Sequence, residues 1–136
     1  MKLLAGPLRD DEVDARLRGL AEDAVVVIAV SGGADSLALL HLVGRWATRL
    51  DSPPRLLVMT VDHGLRAGSG AEAAMVARVA AARGLRHETL VWEGPKPATG
   101  IEAAARDARY RLLGAAARQA GARVLLTAHH QDDQAE

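Results

Sequence analysis

The chain has 136 residues, of which 49% are hydrophobic and 25% charged, as expected of one soluble globular domain with a single core and not of a disordered segment. Its 17 basic and 17 acidic residues cancel and aromatics make up only 2%, which argues against a strongly cationic nucleic-acid platform or a set of base-stacking rings. No apolar run approaches the roughly 18 residues of a membrane span, the N-terminus turns acidic too soon for a signal peptide, and the lack of cysteine excludes a disulfide scaffold, a Cys-ligated zinc and an iron–sulfur cluster. A cytoplasmic protein with no membrane attachment is expected.

Residues 1–23 read as a helical lead-in, helix-compatible from Asp10 to Asp23, and residues 24–136 as one α/β domain. AVVVIAV (24–30) is a continuous β-branched run, the pattern of a strand buried on both faces. SGGADS (31–36) follows, and then LALLHLVGRWATRL, whose apolar residues recur at helical spacing until SPPR (52–55) breaks the helix. LLVMTV (56–61) predicts a second buried strand, DHGLRAGSG (62–70) a loop, and AEAAMVARVAAARG a helix that stops at Gly84. HETLVW (87–92) predicts a third strand and EGPKPATG (93–100) a Pro/Gly loop. Residues 101–121 predict another helix with a glycine stop, ARVLLTA (122–128) a fourth strand, and HHQDDQAE (129–136) the opening of a further helix. Trp46 and Trp92 read as packing residues in the core or at its rim.

Strand–helix alternation of this length implies right-handed crossovers and a doubly wound parallel sheet. Such sheets bind ligands beyond the C-terminal ends of their strands, where the strand order switches. The segments richest in unusual polar residues, 31–36, 62–66 and 129–133, all fall at such ends. A helix starting near Asp132 has no body, and nothing covers the outer side of a fourth strand at an edge, so the sequence is expected to belong to a longer chain.

A Gly-Gly loop between a buried strand and a helix is the context of a phosphate cradle: Gly32 and Gly33 permit close backbone approach and positive φ, and Ser36 is placed to cap the helix. The same residues also suit a tight turn with no ligand. Neither GxxxxGK[ST] nor GxGxxG is present, so neither a Walker-type phosphate site nor a dinucleotide site is expected. Asp35 sits inside the cradle instead; a carboxylate beside phosphates calls for a cation between them, Mg²⁺ or a cationic substrate, unless Asp35 merely favours the helix start.

SGGADS resembles the SGGxDS motif of the N-type ATP pyrophosphatases, the PP-loop family, which bind ATP and cleave it between the α- and β-phosphates. VDHGLRAGSGAEA (61–73), IEAAARDARYRLL (101–113) and LLTAHHQDDQAE (125–136) are similar to blocks of the tRNA(Ile)-lysidine synthase family, so the resemblance runs from about Val25 to Glu136. It implies a two-step ligation: ATP adenylates the C2 oxygen of the wobble cytidine of tRNA(Ile) with release of pyrophosphate, and the side-chain amine of free L-lysine then displaces AMP. It implies ATP and Mg²⁺ as cofactors and leaves a homodimer open.

Carried over residue by residue, the resemblance implies that Ser31, Gly32, Gly33, Ala34 and Ser36 hold the nucleotide, with Asp35 at the junction of phosphate, metal and lysine. His129, His130, Asp132 and Asp133 would line the mouth of the fourth strand, His129, Asp132 and Asp133 serving catalysis and the two aspartates Mg²⁺. Capping and loop hydrogen bonding are the plainer roles of these residues. Asp62 and His63 end the second strand where an adenosine would sit, although Asp62 equally suits the first position of a turn. Arg66 would meet phosphate or RNA, Arg109 an acid, lysine's carboxylate or phosphate, and Glu136 the lysine substrate. Glu102 and Arg106 read as a solvated i,i+4 pair. The segment is expected to be the adenylating core without the RNA grip, so that alone it would bind ATP without efficient tRNA modification. A thiolase of the same superfamily and a non-catalytic ATP-binding module are the rival expectations.

Overall fold

The computed structural model describes residues 10–65 and 67–128. Its elements in chain order are α1 (Asp10–Leu17), a 3-10 turn (Arg18–Leu20), β1 (Val25–Ala29), α2 (Ala34–Thr48), β2 (Arg55–Asp62), α3 (Ser69–Ala82), β3 (Arg86–Val91), α4 (Ile101–Gln119) and β4 (Val124–Thr127). The four strands form one parallel sheet in the order β3-β2-β1-β4. Each predicted strand is present, with ends displaced by one or two residues.

The topology follows from the handedness of parallel crossovers. From β1 to β2 to β3 the chain steps outward in one direction, so α2 and α3 lie on the same face; the return from β3 to a place beside β1 reverses the step and carries α4 to the other face. β1 is central and all five of its residues are buried, which explains its uninterrupted β-branched sequence. Val26, Ile28 and the following Val30 pack with α1, α2 and α3, while Val27 and Ala29 pack with Met59 and with Leu113, Ala116 and Ala117 of α4. On α2, Leu39, Leu40, Val43, Trp46 and Ala47 form the buried stripe, and Trp46 is 1% exposed.

Two glycines stop helices as predicted. Gly84 (φ 72°) and Gly121 (φ 78°) adopt left-handed backbone. Beyond them the Leu85 N–H donates to the Ala80 carbonyl and the Ala122 N–H to the Ala117 carbonyl, both at 2.9 Å, the Schellman arrangement that satisfies the last helical carbonyls. At the N-terminal end of the sheet the Arg123 guanidinium donates twice to Asp23 Oδ1, at 3.0 and 3.2 Å, joining the lead-in to the approach to β4.

Candidate functional site

Strand order reverses at β1, whose Ala29 pairs with Met59 of β2 on one side and Thr127 of β4 on the other. The Val30 N–H donates to the Met59 carbonyl at 2.9 Å, holding the chain to the sheet for one more residue before the glycine loop begins. The loop therefore starts at the switch point, where open α/β sheets bind ligands.

Ser36 organises this loop from inside the first turn of α2. Its Oγ donates to the Gly33 carbonyl (3.0 Å), accepts from the Ser31 N–H (3.1 Å) and lies 3.1 Å from Ser31 Oγ, which accepts from the Gly33 N–H at 3.3 Å. With the Ser31 hydroxyl as donor in the Ser31–Ser36 contact, the buried Ser36 hydroxyl has its one donor and both acceptor sites in use. Ser36 thus closes the loop on itself and does not cap the helix: the N-cap is Gly33, with no side-chain bond to the helix. The bond from Leu37 N–H to the Gly33 carbonyl (3.0 Å) opens the helical ladder. The preceding amides lie at the positive end of a 15-residue helix that itself offers them no acceptor. Of the two glycines expected at positive φ, only Gly32 has it, at +96°; Gly33 is extended at φ −72°, ψ 163°, because it must present its carbonyl to both Ser36 and Leu37. Asp35 is exposed in the first turn of α2.

At the end of β2, the Asp62 carboxylate is taken up by the loop it starts. Oδ1 accepts from Ser69 Oγ (2.6 Å), the first residue of α3, and from the Gly64 N–H (3.0 Å). The Ser69 hydrogen bond holds the Asp62 carboxyl below its ordinary range, with smaller help from the Gly64 N–H and the nearby His63 and Lys96 and against a desolvation cost. A carboxyl depressed in the fold stabilises it fully above the ordinary value of 3.8, and this contribution is lost as pH falls through the lower folded value. Asp62→Asn, which keeps an acceptor oxygen but cannot titrate, is expected to flatten the acid limb of stability below about pH 4, measured by urea unfolding at several pH values. An identical acid limb in both proteins would contradict the assignment.

A cleft of about 750 Å³ opens over these strand ends and runs beneath α4. Its floor is apolar, from Ala29, Met59 and Leu113; Ser31 and Gly33 form one rim, His63, Ser69 and Glu72 another, and Glu102, Arg106, Arg109 and Tyr110 the wall. Apolar volume with a few convergent polar groups is the make-up of a small-molecule site. The Arg109 guanidinium lies 5.6 Å from the centroid of the Tyr110 ring, in the wall of the cleft. Thr60, also at the cleft, shares a 2.9 Å hydrogen bond with Nε2 of His87, whose pKa burial pushes below the ordinary histidine range.

Among the residues singled out from sequence, Ser31, Gly33, His63 and Arg109 line the cleft, and Gly32, Ala34, Asp35 and Ser36 belong to the same loop and helix start. Asp62 is not among the lining residues, and the contacts it makes are those of the turn. Arg66, His129, His130, Asp132, Asp133 and Glu136 lie outside the described residues. Among the described residues no three His, Asp or Glu side chains come together as a metal site. Ser69, Glu72, Tyr110 and the Glu102–Arg106 pair line the cleft without having been picked out as site residues. All of these belong to the first turns of α3 or the first half of α4. In a parallel sheet those parts of the crossover helices lie at the C-terminal ends of the strands, a rule that would have found them.

A sequence profile of the PP-loop domain matches residues 10–136. The chain belongs to the PP-loop domain family. Within it, the chain is 54% identical over 130 residues to a tRNA(Ile)-lysidine synthase of Bradyrhizobium diazoefficiens, covering 96% of this chain and 36% of that protein. It is 59% identical over 111 residues to the tRNA(Ile)-lysidine synthase of Rhodopseudomonas palustris, covering 82% and 32%. The chain thus spans about a third of the length of these curated relatives. Among solved structures, the U34-tRNA thiolase NcsA from Methanococcus maripaludis with its [4Fe-4S] cluster superposes with a TM-score of 0.78 at 16% identity, over 91% of this chain and 45% of that one. That likeness concerns the fold alone. Among the described residues, no helix of this PP-loop domain is long and apolar enough to cross a membrane.

Proposed function

We propose that this PP-loop domain is the ATP-binding, adenylating part of a tRNA(Ile)-lysidine synthase, acting in the cytoplasm on tRNA(Ile) and free L-lysine. The observation that carries the proposal is the coincidence of two things in one chain. A glycine loop at the strand-order switch opens into a cleft of nucleotide size, and relatives 51–59% identical bear that enzyme's name. The thiolase alternative has the shared fold in its favour but only 16% identity, and the chain has no cysteine.

The donor set fits ATP. The positive end of α2, whose N-cap glycine has no capping side chain, suits phosphate oxygens, Gly33 brings no side chain into the loop beside Ser31 Oγ, and the apolar floor suits a nucleoside. In this reading the amides at the start of α2 hold phosphate, the Gly33 N–H stays with Ser31 Oγ, Ser36 keeps the loop in shape, and Ser31 adds a hydroxyl at the rim. His63 and Ser69 bound the nucleoside end, and Arg109, steadied against Tyr110, offers a guanidinium to a carboxylate or phosphate. ATP supplies the adenylyl group that makes the C2 oxygen of the wobble cytidine a leaving group, so that the lysine amine forms the new C–N bond and that oxygen departs with AMP. Asp35 would balance charge between Mg²⁺, phosphate and the lysine ammonium, with His129, Asp132, Asp133 and Glu136 completing the site from the segment after β4.

A chimera tests this. Residues 10–136 replace the matching segment of the Bradyrhizobium diazoefficiens synthase, and lysidine formation on tRNA(Ile) is measured with ATP, Mg²⁺ and lysine. Turnover within about tenfold of the parent enzyme is expected, since a misplaced site costs far more, on the order of a hundredfold. A folded chimera that binds ATP but forms no lysidine, or that thiolates instead, would contradict the proposal.

A further inference from the structure

Lys96 is one of two lysines in the chain and belongs to neither the glycine loop nor the lining of the cleft. It lies in the Pro/Gly segment between β3 and α4, half-buried, and its contacts fix it closely. Nζ donates to the carbonyl of Trp92 at 3.1 Å and stands 5.0 Å from the centroid of that same indole. Trp92 is buried, and its own N–H donates to the Asp62 carbonyl at 3.0 Å, one step past the end of the β2–β3 ladder. On its other side the ammonium faces the turn after β2: a side-chain carbon placed on Gly64 would lie 3.9 Å from Nζ. The Gly64 N–H is in turn bound to the Asp62 carboxylate, which also holds Ser69 at the start of α3.

The ammonium, held by Trp92 and close enough to Asp62 to act on its charge, thus stands between the two sides of the cleft. The turn after β2 carries His63 and Ser69 to one rim, and the segment containing Lys96 leads within five residues into α4, whose Glu102, Arg106, Arg109 and Tyr110 form the facing wall. An ammonium is suited to this place, because it can donate to a carbonyl, lie over an indole face and stand near a carboxylate at once. We propose that Lys96 is a positioning residue, a brace that ties the segment leading into α4 to the Asp62–Ser69 turn and so sets the width of the nucleotide cleft. The inference deepens the function proposed above, on which its nucleotide arm rests, whereas its structural arm does not.

The test compares the 136-residue chain with Lys96→Met, which keeps an unbranched stem over the indole but loses charge and donor, and with Lys96→Arg, which keeps both. Amide hydrogen exchange read without ligand is expected to quicken in residues 60–70 and 93–104 of the Met variant, to return towards normal in the Arg variant, and to stay unchanged in β1. Equal exchange in all three proteins would overturn the brace whatever the nucleotide result. Binding is then measured with ATP and with adenosine. A brace predicts that Lys96→Met weakens both by a similar factor, about five- to tenfold, the scale of one cation–π contact and one hydrogen bond. A loss confined to ATP would make Lys96 a phosphate contact and overturn the proposal. Quickened exchange with no nucleotide binding by the unaltered chain would leave the brace standing and sink the ATP function instead.

Discussion

Asp35→Asn is expected to reduce lysidine formation at least about a hundredfold, the scale on which loss of one fixed charge-stabilising group slows an enzyme, while leaving the melting temperature nearly unchanged. The side chain is exposed at the first turn of α2, so the fold has little to lose from an isosteric change. Its effect on nucleotide binding has a definite sign. Two like unit charges about 4 Å apart repel by about 4 kcal/mol at an effective dielectric near 20, so a carboxylate in a phosphate cradle opposes the bare nucleotide unless a cation intervenes. ATP without Mg²⁺ is therefore expected to bind the Asn variant at least as tightly as the parent, and the added affinity conferred by Mg²⁺ to shrink. Titration calorimetry with and without Mg²⁺, alongside turnover in the chimera, reads both effects. Undiminished turnover would remove Asp35 from the reaction.

Gly32→Ala is expected to be the most damaging single-methyl change in the loop. The new Cβ would meet Met75, Glu72 and Val76 at 3.5–3.7 Å, ordinary contact, so space is not the obstacle. The obstacle is φ at +96°, which an L-residue adopts only under strain of about 1–3 kcal/mol. Relief of that strain would rotate the peptide joining Ser31 to the helix start and break the bonds that Ser36 makes to Ser31 and Gly33. Chemical unfolding should register the stability loss, and ATP affinity should fall about tenfold or more as the amides lose their common aim. Gly33→Ala is the control. Its φ of −72° suits any residue, and its Cβ would meet only Ser31 Oγ at 3.6 Å, so stability should stay close to that of the parent. Equal destabilisation by the two substitutions would contradict the backbone account.

The strands were legible because their burial is written into residue type. β1 is apolar throughout since both faces are covered, and Gly84 and Gly121 mark helix ends since left-handed backbone is open to glycine. The position of the glycine loop followed from topology alone. What the sequence hid was the use of side chains. Ser36 looks like a helix cap by its type and place, but a hydroxyl one turn inside the helix reaches back to Ser31 and Gly33, a contact no periodicity encodes. Asp62 suited both nucleoside binding and a turn, and the turn bonds to Ser69 and Gly64 appear only in the distances. Glu102 and Arg106 carry the spacing of an ordinary surface pair and line the cleft because α4 begins at the strand mouths. Lys96 gives no signal in sequence at all, since its partners are a carbonyl, an indole face and a distant turn.

The most direct measurement is an amide chemical-shift titration of the chain with ATP and Mg²⁺. Nucleotide held at the end of β1 predicts the largest changes at residues 31–37, with smaller ones at His63, Ser69 and the first half of α4. Changes confined to the groove at the opposite end of the sheet, at Gly44, Thr48, Arg83 and Leu85, with residues 31–37 unmoved, would contradict it.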